Sequence, residues 1–139
     1  PILSIMRTCA APGAIRIVDP AMADDGKLYR GFAADFPSKM LRLCKGADYL
    51  LPNITEAALL VGEDAKTIGA WKSCQSKEVI ERLIGKLHVF GVRTVVLTGV
   101  SFNEDEFGIA VSDGKSVKYD FNPRNPRNSH GTGDVFAAV

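Results

Sequence analysis

The chain has 139 residues, about the length of one ordinary domain, and its 46% hydrophobic and 24% charged content is that of a globular protein rather than a disordered one. A formal net charge of +1 gives no pull toward nucleic acid or an acidic membrane, and no apolar run reaches the ~18 residues of a membrane span. Cys9, Cys44 and Cys74 are odd in number, widely spaced and without a Cys-x-x-Cys pair, which suggests neither a disulfide framework nor a zinc site.

No secretory signal opens the sequence, so reduced thiols and a cytoplasmic location are the expectation. The sequence begins at Pro1 and stops at Val139, about one turn into the helix that its last motif starts. That reads as a piece of a longer chain.

Residues 1–11 read as the end of a helix, broken by Pro12-Gly13. The β-branched run at residues 14–18 predicts a buried strand, ending at Asp19-Pro20. Residues 21–32 are polar and read as a loop. Phe36, Met40, Leu43 and Cys44 recur at helical spacing over 33–45, and Gly46 stops that helix. A second strand is expected at 47–51. Asn53 then caps a helix, with Glu56 three residues on to complete a capping box. That helix runs to Gly62.

Residues 63–75 are irregular in pattern, with Trp71 packing them down. Val79, Ile80, Leu83, Ile84 and Leu87 mark one face of a helix over 76–90. A third strand over 93–97 ends in Thr98-Gly99-Val100. The period then changes, and strands at 107–111 and 116–121 flank Asp113-Gly114, a strong hairpin signal. A Pro/Asn/Arg loop over 122–128 leads to His130-Gly131-Thr132-Gly133-Asp134-Val135-Phe136. Alternating strands and helices followed by a hairpin predict an α/β domain with a largely parallel sheet.

The last motif is the most suggestive. Glycines let the backbone turn with its amides pointing one way, and the first amides of a helix lack intrahelical partners, so if a helix starts here Gly131, Thr132 and Gly133 make an anion site. A carboxylate there repels an anion unless it acts as a base on a hydroxyl attacking a held phosphoryl group. The bland alternative is a glycine loop with Asp134 in the first turn, where Asp is favoured anyway.

Three more strand ends or helix starts carry chemistry: Asp19 with Asp24, Asn53 with Glu56, and Thr98-Gly99. In a parallel sheet such ends share one edge. Each also has a plain reading, as solvated loop carboxylates, a capping box and a turn. Together they supply carboxylates for a divalent cation, amides for phosphate and a base, the parts of phosphoryl transfer. No Walker A cradle and no protein-kinase catalytic loop is present.

The stretch from Val18-Asp19-Pro20 through Asp24-Asp25-Gly26-Lys27-Leu28-Tyr29, then Pro52-Asn53-Ile54-Thr55-Glu56, Leu97-Thr98-Gly99 and Gly131-Thr132-Gly133-Asp134, resembles the pyridoxal kinases of the ribokinase-like superfamily in order and spacing. The resemblance spans residues 14–139. It implies a ribokinase-like three-layer α/β/α fold with a mostly parallel central sheet and an antiparallel hairpin. Residues 1–139 would be the C-terminal portion of one such domain, lacking its first strands and last helices.

It also implies transfer of the γ-phosphoryl of ATP to the 5′-hydroxyl of pyridoxal, pyridoxine or pyridoxamine. Asp134 would be the base, and the amides of Gly131, Thr132 and Gly133 the anion hole. Asp19 and Asp24 would lie by the ATP phosphates and cations. Asn53 and Glu56 would hold Mg²⁺ through water, and Thr98-Gly99 would meet phosphate. Lys27 and Tyr29 would belong to the loop over the nucleotide. The family is usually homodimeric, and many members use K⁺.

The sequence departs from the pattern at Ala23, where Gly is usual, and at Leu51, where a Thr is common; Leu51 weakens the expectation of K⁺. Because the pyridine and adenine contacts of the family lie largely outside these residues, the piece alone is expected to be inactive. The nearest rival, the hydroxymethylpyrimidine kinase branch, tends to place Cys where Asp134 stands. A sugar kinase fits the 19–29 stretch poorly. A non-catalytic nucleotide-binding domain has no need of Asp134. His88 reads as structural. His130 has two readings, phosphate contact or a structural hydrogen bond. Arg124 and Arg127 likewise read either as phosphate contacts or as solvated loop charges.

Overall fold

The structure, a computed structural model, describes residues 2–69 and 74–124. Its central element is a five-stranded sheet in the order β1 (Ile17–Val18), β4 (Tyr49–Leu50), β5 (Thr94–Val100), β6 (Glu106–Ser112), β7 (Val117–Pro123). β1, β4 and β5 pair in parallel, and β6 and β7 add in antiparallel. Since β7 reverses β6, which reverses β5, all strands but β6 run the same way. The expected mixed, mostly parallel sheet with an added hairpin is therefore present.

Helix α1 (Ile2–Cys9) precedes the sheet, and α2 (Phe36–Cys44), α3 (Ile54–Val61), α4 (Ala65–Ile68) and α5 (Lys77–Val89) occupy the connections. α5 is capped by the Ser76 side chain and turns Ile80, Leu83, Ile84 and Leu87 inward, as their spacing predicts. Each such side chain contributes about 1.5–3 kcal/mol when fully buried. α3 is apolar nearly all round, and such a helix belongs inside; Ile54, Ala57, Ala58 and Leu60 are all buried. They join Leu50, Val95, Leu97, Val100 and Ala110 of the sheet in one core. Among the described residues no helix is long and apolar enough to cross a membrane.

Several boundaries move. The first two strands shrink to two residues each. Ahead of them Ile15 is exposed, and the Asp48 carboxylate accepts from the Arg16 amide at 2.9 Å, a position that a neighbouring strand would otherwise fill. Residues 21–32 are not a plain loop. β2 (Ala23–Asp24) and β3 (Lys27–Leu28) pair as a small antiparallel hairpin, with Ala23 opposite Leu28 and Asp24 opposite Lys27. Its two-residue turn, Asp25-Gly26, takes φ of 48° and 74°, the left-handed geometry that tight hairpins require. Residues 65–68 form a one-turn helix whose Asp64 cap accepts from the Lys66 amide. β5 runs on through Val100, and its register with β6 shifts between Thr98 and Val100. Gly99, at φ 80°, absorbs that irregularity. Trp71, assigned a packing role from the sequence, lies outside the described residues.

Candidate functional site

Because β1, β4 and β5 are parallel neighbours, the segments leaving their C-terminal ends lie side by side. Asp19 follows β1, Pro52-Asn53 follow β4, and Thr98 lies near the end of β5. Asn53 forms an isolated parallel bridge with Thr98, whose amide donates to the Pro52 carbonyl at 2.9 Å. The sheet thereby delivers Asp19, Asn53 and Thr98 to one edge.

The capping box read from the sequence is complete. Asn53 Oδ1 accepts from the Glu56 amide at 2.9 Å, and Glu56 Oε2 accepts from the Asn53 amide at 2.9 Å. The box does more than cap α3. Glu56 Oε1 also accepts from the Met22 amide at 2.8 Å and the Ala23 amide at 3.4 Å, and Asn53 Nδ2 donates to the Ala23 carbonyl at 2.8 Å. One turn of α3 thus grips the root of the β2–β3 hairpin. Glu56 is only 2% exposed. Burial raises its carboxyl to about 7, against the three backbone N–H donors, and the nearby Asp19 charge adds to the rise. A carboxylate held this close to neutrality ionises readily when a cation approaches.

That donor chemistry fits a magnesium ion. Mg²⁺ is usually held by one or two carboxylates together with substrate phosphates and water, and Asp19 and Glu56 supply such a pair. Among the described residues no three carboxylate, imidazole or thiol groups converge to hold a metal. Asp24 is exposed in β2, and its Oδ1 accepts from the Asp25 amide at 2.8 Å. Lys27 is exposed in β3 of the same hairpin, and Tyr29 is exposed just beyond that strand. The Tyr29 amide is fixed to the Met22 carbonyl at 2.9 Å.

Asp134, Gly131, Thr132, Gly133, His130 and Arg127 lie outside the described residues, so the expected base and anion loop have no geometry here. Thr98 Oγ1 faces the Pro52 carbonyl at 3.4 Å. Gly99 is explained by the strand irregularity whether or not it also meets phosphate. Arg124 is not a solvated loop charge. It is half-buried, its Nη2 donates to Ser101 Oγ at 3.0 Å, and its guanidinium lies 5.7 Å from the Phe107 ring centroid. His88 is structural, as read, with Nδ1 at 2.9 Å from the Val92 carbonyl and Nε2 at 3.0 Å from Ser112 Oγ. Cys44 is no nucleophile: burial and then the Glu56 charge push its thiol up to about 12.

Sequence reasoning passed over Thr55, which is buried and bonded to both Gly26 and Gly69. Its signal was a hydroxyl in the first turn of a largely apolar helix, a residue type that is seldom buried without a partner. A cavity of about 700 Å³ lies elsewhere, between α1 and the N-terminal ends of β1 and β4, lined by Leu3, Met6, Arg16, Arg42, Lys45 and Asp48 among others. It contains none of the residues just described.

A family model described as phosphomethylpyrimidine kinase matches residues 3–139. A Caenorhabditis elegans protein named as a candidate pyridoxal kinase is 30% identical over 132 residues, which is 88% of this chain and 36% of that protein. The solved pyridoxal kinase of Lactobacillus plantarum is 35% identical, with a TM-score of 0.74 over 91% of this chain and 43% of that one. The Leishmania donovani pyridoxal kinase, solved with ADP and pyridoxine, is 25% identical, with a TM-score of 0.74 over 97% of this chain and 43% of that one. The chain therefore spans well under half the length of these relatives.

Proposed function

The chain belongs to the phosphomethylpyrimidine kinase family, and from that premise we propose that its full-length protein is an ATP-dependent kinase for a B6 vitamer. The reaction moves the γ-phosphoryl group of ATP to the 5′-hydroxyl of pyridoxal, pyridoxine or pyridoxamine. The acceptor oxygen forms the new P–O bond, the bond to the β-phosphate oxygen breaks, ADP leaves, and the hydroxyl proton passes to Asp134. The amides of Gly131, Thr132 and Gly133 hold the negative charge of the phosphoryl group in flight.

The observation that carries this reading is the buried Glu56 beside Asp19 at the strand-end edge. Phosphoryl transfer needs ionisable carboxylates beside polyphosphate, and a capping box alone does not need one shut away from water. Asp19 and Glu56 would hold Mg²⁺, with Asn53 in support; the ion, when bound, neutralises charge building on the phosphates. Asp24, Lys27 and Tyr29 present their side chains to the nucleotide from the hairpin, and Thr98 and Gly99 border the phosphates. K⁺ has weaker support because Leu51 offers no hydroxyl. A homodimer, taken from the resemblance, and the cytoplasmic location expected from the cysteine pattern are part of the same reading.

The vitamer assignment rests on the Asp19-to-Tyr29 stretch, on Asp134, and on likeness to proteins named pyridoxal kinases. A second reading, a hydroxymethylpyrimidine or phosphomethylpyrimidine kinase, is favoured by the description of the family model. Both use the same machinery on a ring-borne hydroxymethyl group.

Asp134→Asn in the full-length protein is expected to lower kcat by roughly two to four orders of magnitude, the usual scale for a positioned base. ATP binding, followed by calorimetry, should change little. Turnover close to that of the parent would remove Asp134 from its role.

A further inference from the structure

Thr55 stands between Asn53 and Glu56, yet the proposed chemistry gives it nothing to do. It is 1% exposed. Its Oγ1 accepts from the Gly26 amide at 3.0 Å and donates to the Gly69 carbonyl at 3.0 Å. Gly26 belongs to the turn of the β2–β3 hairpin, and Gly69 ends α4. One hydroxyl therefore ties the hairpin tip, the first turn of α3 and the end of α4 together.

The joint has no slack. A Cβ on Gly26 would come within 2.9 Å of the Ala65 carbonyl oxygen and of Lys66 Cα, and one on Gly69 would collide with Thr55 Oγ1. The hairpin is gripped separately at its root, where Glu56 and Asn53 bind Met22 and Ala23. Between root and tip lie Asp24 and Lys27, paired across the hairpin and exposed. With both ends of so short a hairpin fixed, Asp24 and Lys27 are left with side-chain freedom only.

We propose that Thr55 is a positioning residue for phosphoryl transfer: its hydroxyl fixes the tip of the β2–β3 hairpin so that Asp24 and Lys27 stand pre-arranged for the nucleotide. This rests on the kinase reading and adds to it. The effect falls on the nucleotide, because the residues positioned are those assigned to the nucleotide, and not on the alcohol acceptor. The hydroxyl, not the bulk of the side chain, is the active part.

The test compares Thr55→Val, which keeps the shape and loses the hydroxyl, with Thr55→Ser, which keeps the hydroxyl, in the full-length protein. Steady-state kinetics are measured for ATP and for pyridoxal separately, and exchange of the Gly26 amide is followed by NMR. Thr55→Val is expected to raise KM for ATP about ten-fold and to speed Gly26 exchange about ten-fold, the scale of losing the buried hydrogen bond from the Gly26 amide. KM for pyridoxal should stay within about two-fold, and Thr55→Ser should restore both readouts. Turnover with an unaltered KM for ATP in Thr55→Val overturns the proposal and spares the kinase reading. So does an equal rise in both KM values that Thr55→Ser fails to correct. No turnover by the parent protein overturns the kinase reading and this role with it. Should Thr55→Val not fold, the parent still decides, because a Gly26 amide exchanging as fast as an unprotected one excludes the anchor.

Discussion

Glu56 accepts from three backbone amides, an arrangement that usually favours the ionised form, yet burial outweighs them and lifts its carboxyl to about 7. The consequence is a stability that depends on pH. The unfolded chain releases this proton near the ordinary value of 4.5, and the folded chain keeps it until about 7. Between those values the folded state binds more protons, so stability falls as pH rises and levels off above about 7. The difference amounts to about 3 kcal/mol. Thermal melts in metal-free buffer across this range should show the decline, and Glu56→Gln should flatten it. A decline of equal steepness in Glu56→Gln would assign it to another group. The pairing of Asn53 with Glu56 was legible in the sequence because its partners are three residues apart. The reach of Glu56 back to Met22 and Ala23, and of Thr55 to Gly26, was not. Those contacts exist only once β1 and β4 lie side by side, and no local pattern encodes them.

Among the elements, α5 and the β6–β7 hairpin were readable because each carries its own periodicity or turn dipeptide. The β2–β3 hairpin carries the same Asp-Gly signal at Asp25-Gly26, but its strands are two residues each, too short for alternation to show. α4, at four residues, is below the length at which a helical period can be seen. α3 and α5 are further joined by Glu63, whose carboxylate accepts from Arg82 Nη2 at 2.7 Å and Lys86 Nζ at 2.9 Å. Those hydrogen bonds, Arg82 first, hold its carboxyl down to about 2. The stabilisation is therefore complete above the ordinary 4.5 and lost as pH falls toward about 2. Since the basic partners are nearly half exposed, at 46% and 47%, solvent screening reduces the worth of the cluster. Glu63→Gln is expected to cost about 1 kcal/mol at pH 7 and much less at pH 2. Urea unfolding at the two pH values measures this, and an equal loss at both would mean that charge is not the cause.

At the scale of the whole molecule, a parallel sheet fixes where chemistry can collect. Asp19, Asn53 and Thr98 are separated by dozens of residues in sequence and meet because β1, β4 and β5 point the same way. This much followed from counting strands and reading what stands at their ends. What the sequence could not convey was that Glu56 is buried while Asp24 is exposed on its hairpin. The distinction depends on which carboxylate α3 buries. In the proposed function this edge serves phosphoryl transfer to the 5′-hydroxyl of a B6 vitamer. The most direct test offers the full-length protein ATP and Mg²⁺ with pyridoxal, pyridoxine, pyridoxamine, hydroxymethylpyrimidine or ribose in turn, and follows ADP formation and the phosphorylated product. The highest kcat/KM is expected with a B6 vitamer, and the product should be phosphorylated on the 5′-oxygen; a clear preference for hydroxymethylpyrimidine or ribose, or no ATP-dependent phosphorylation of any vitamer, would overturn the proposed function.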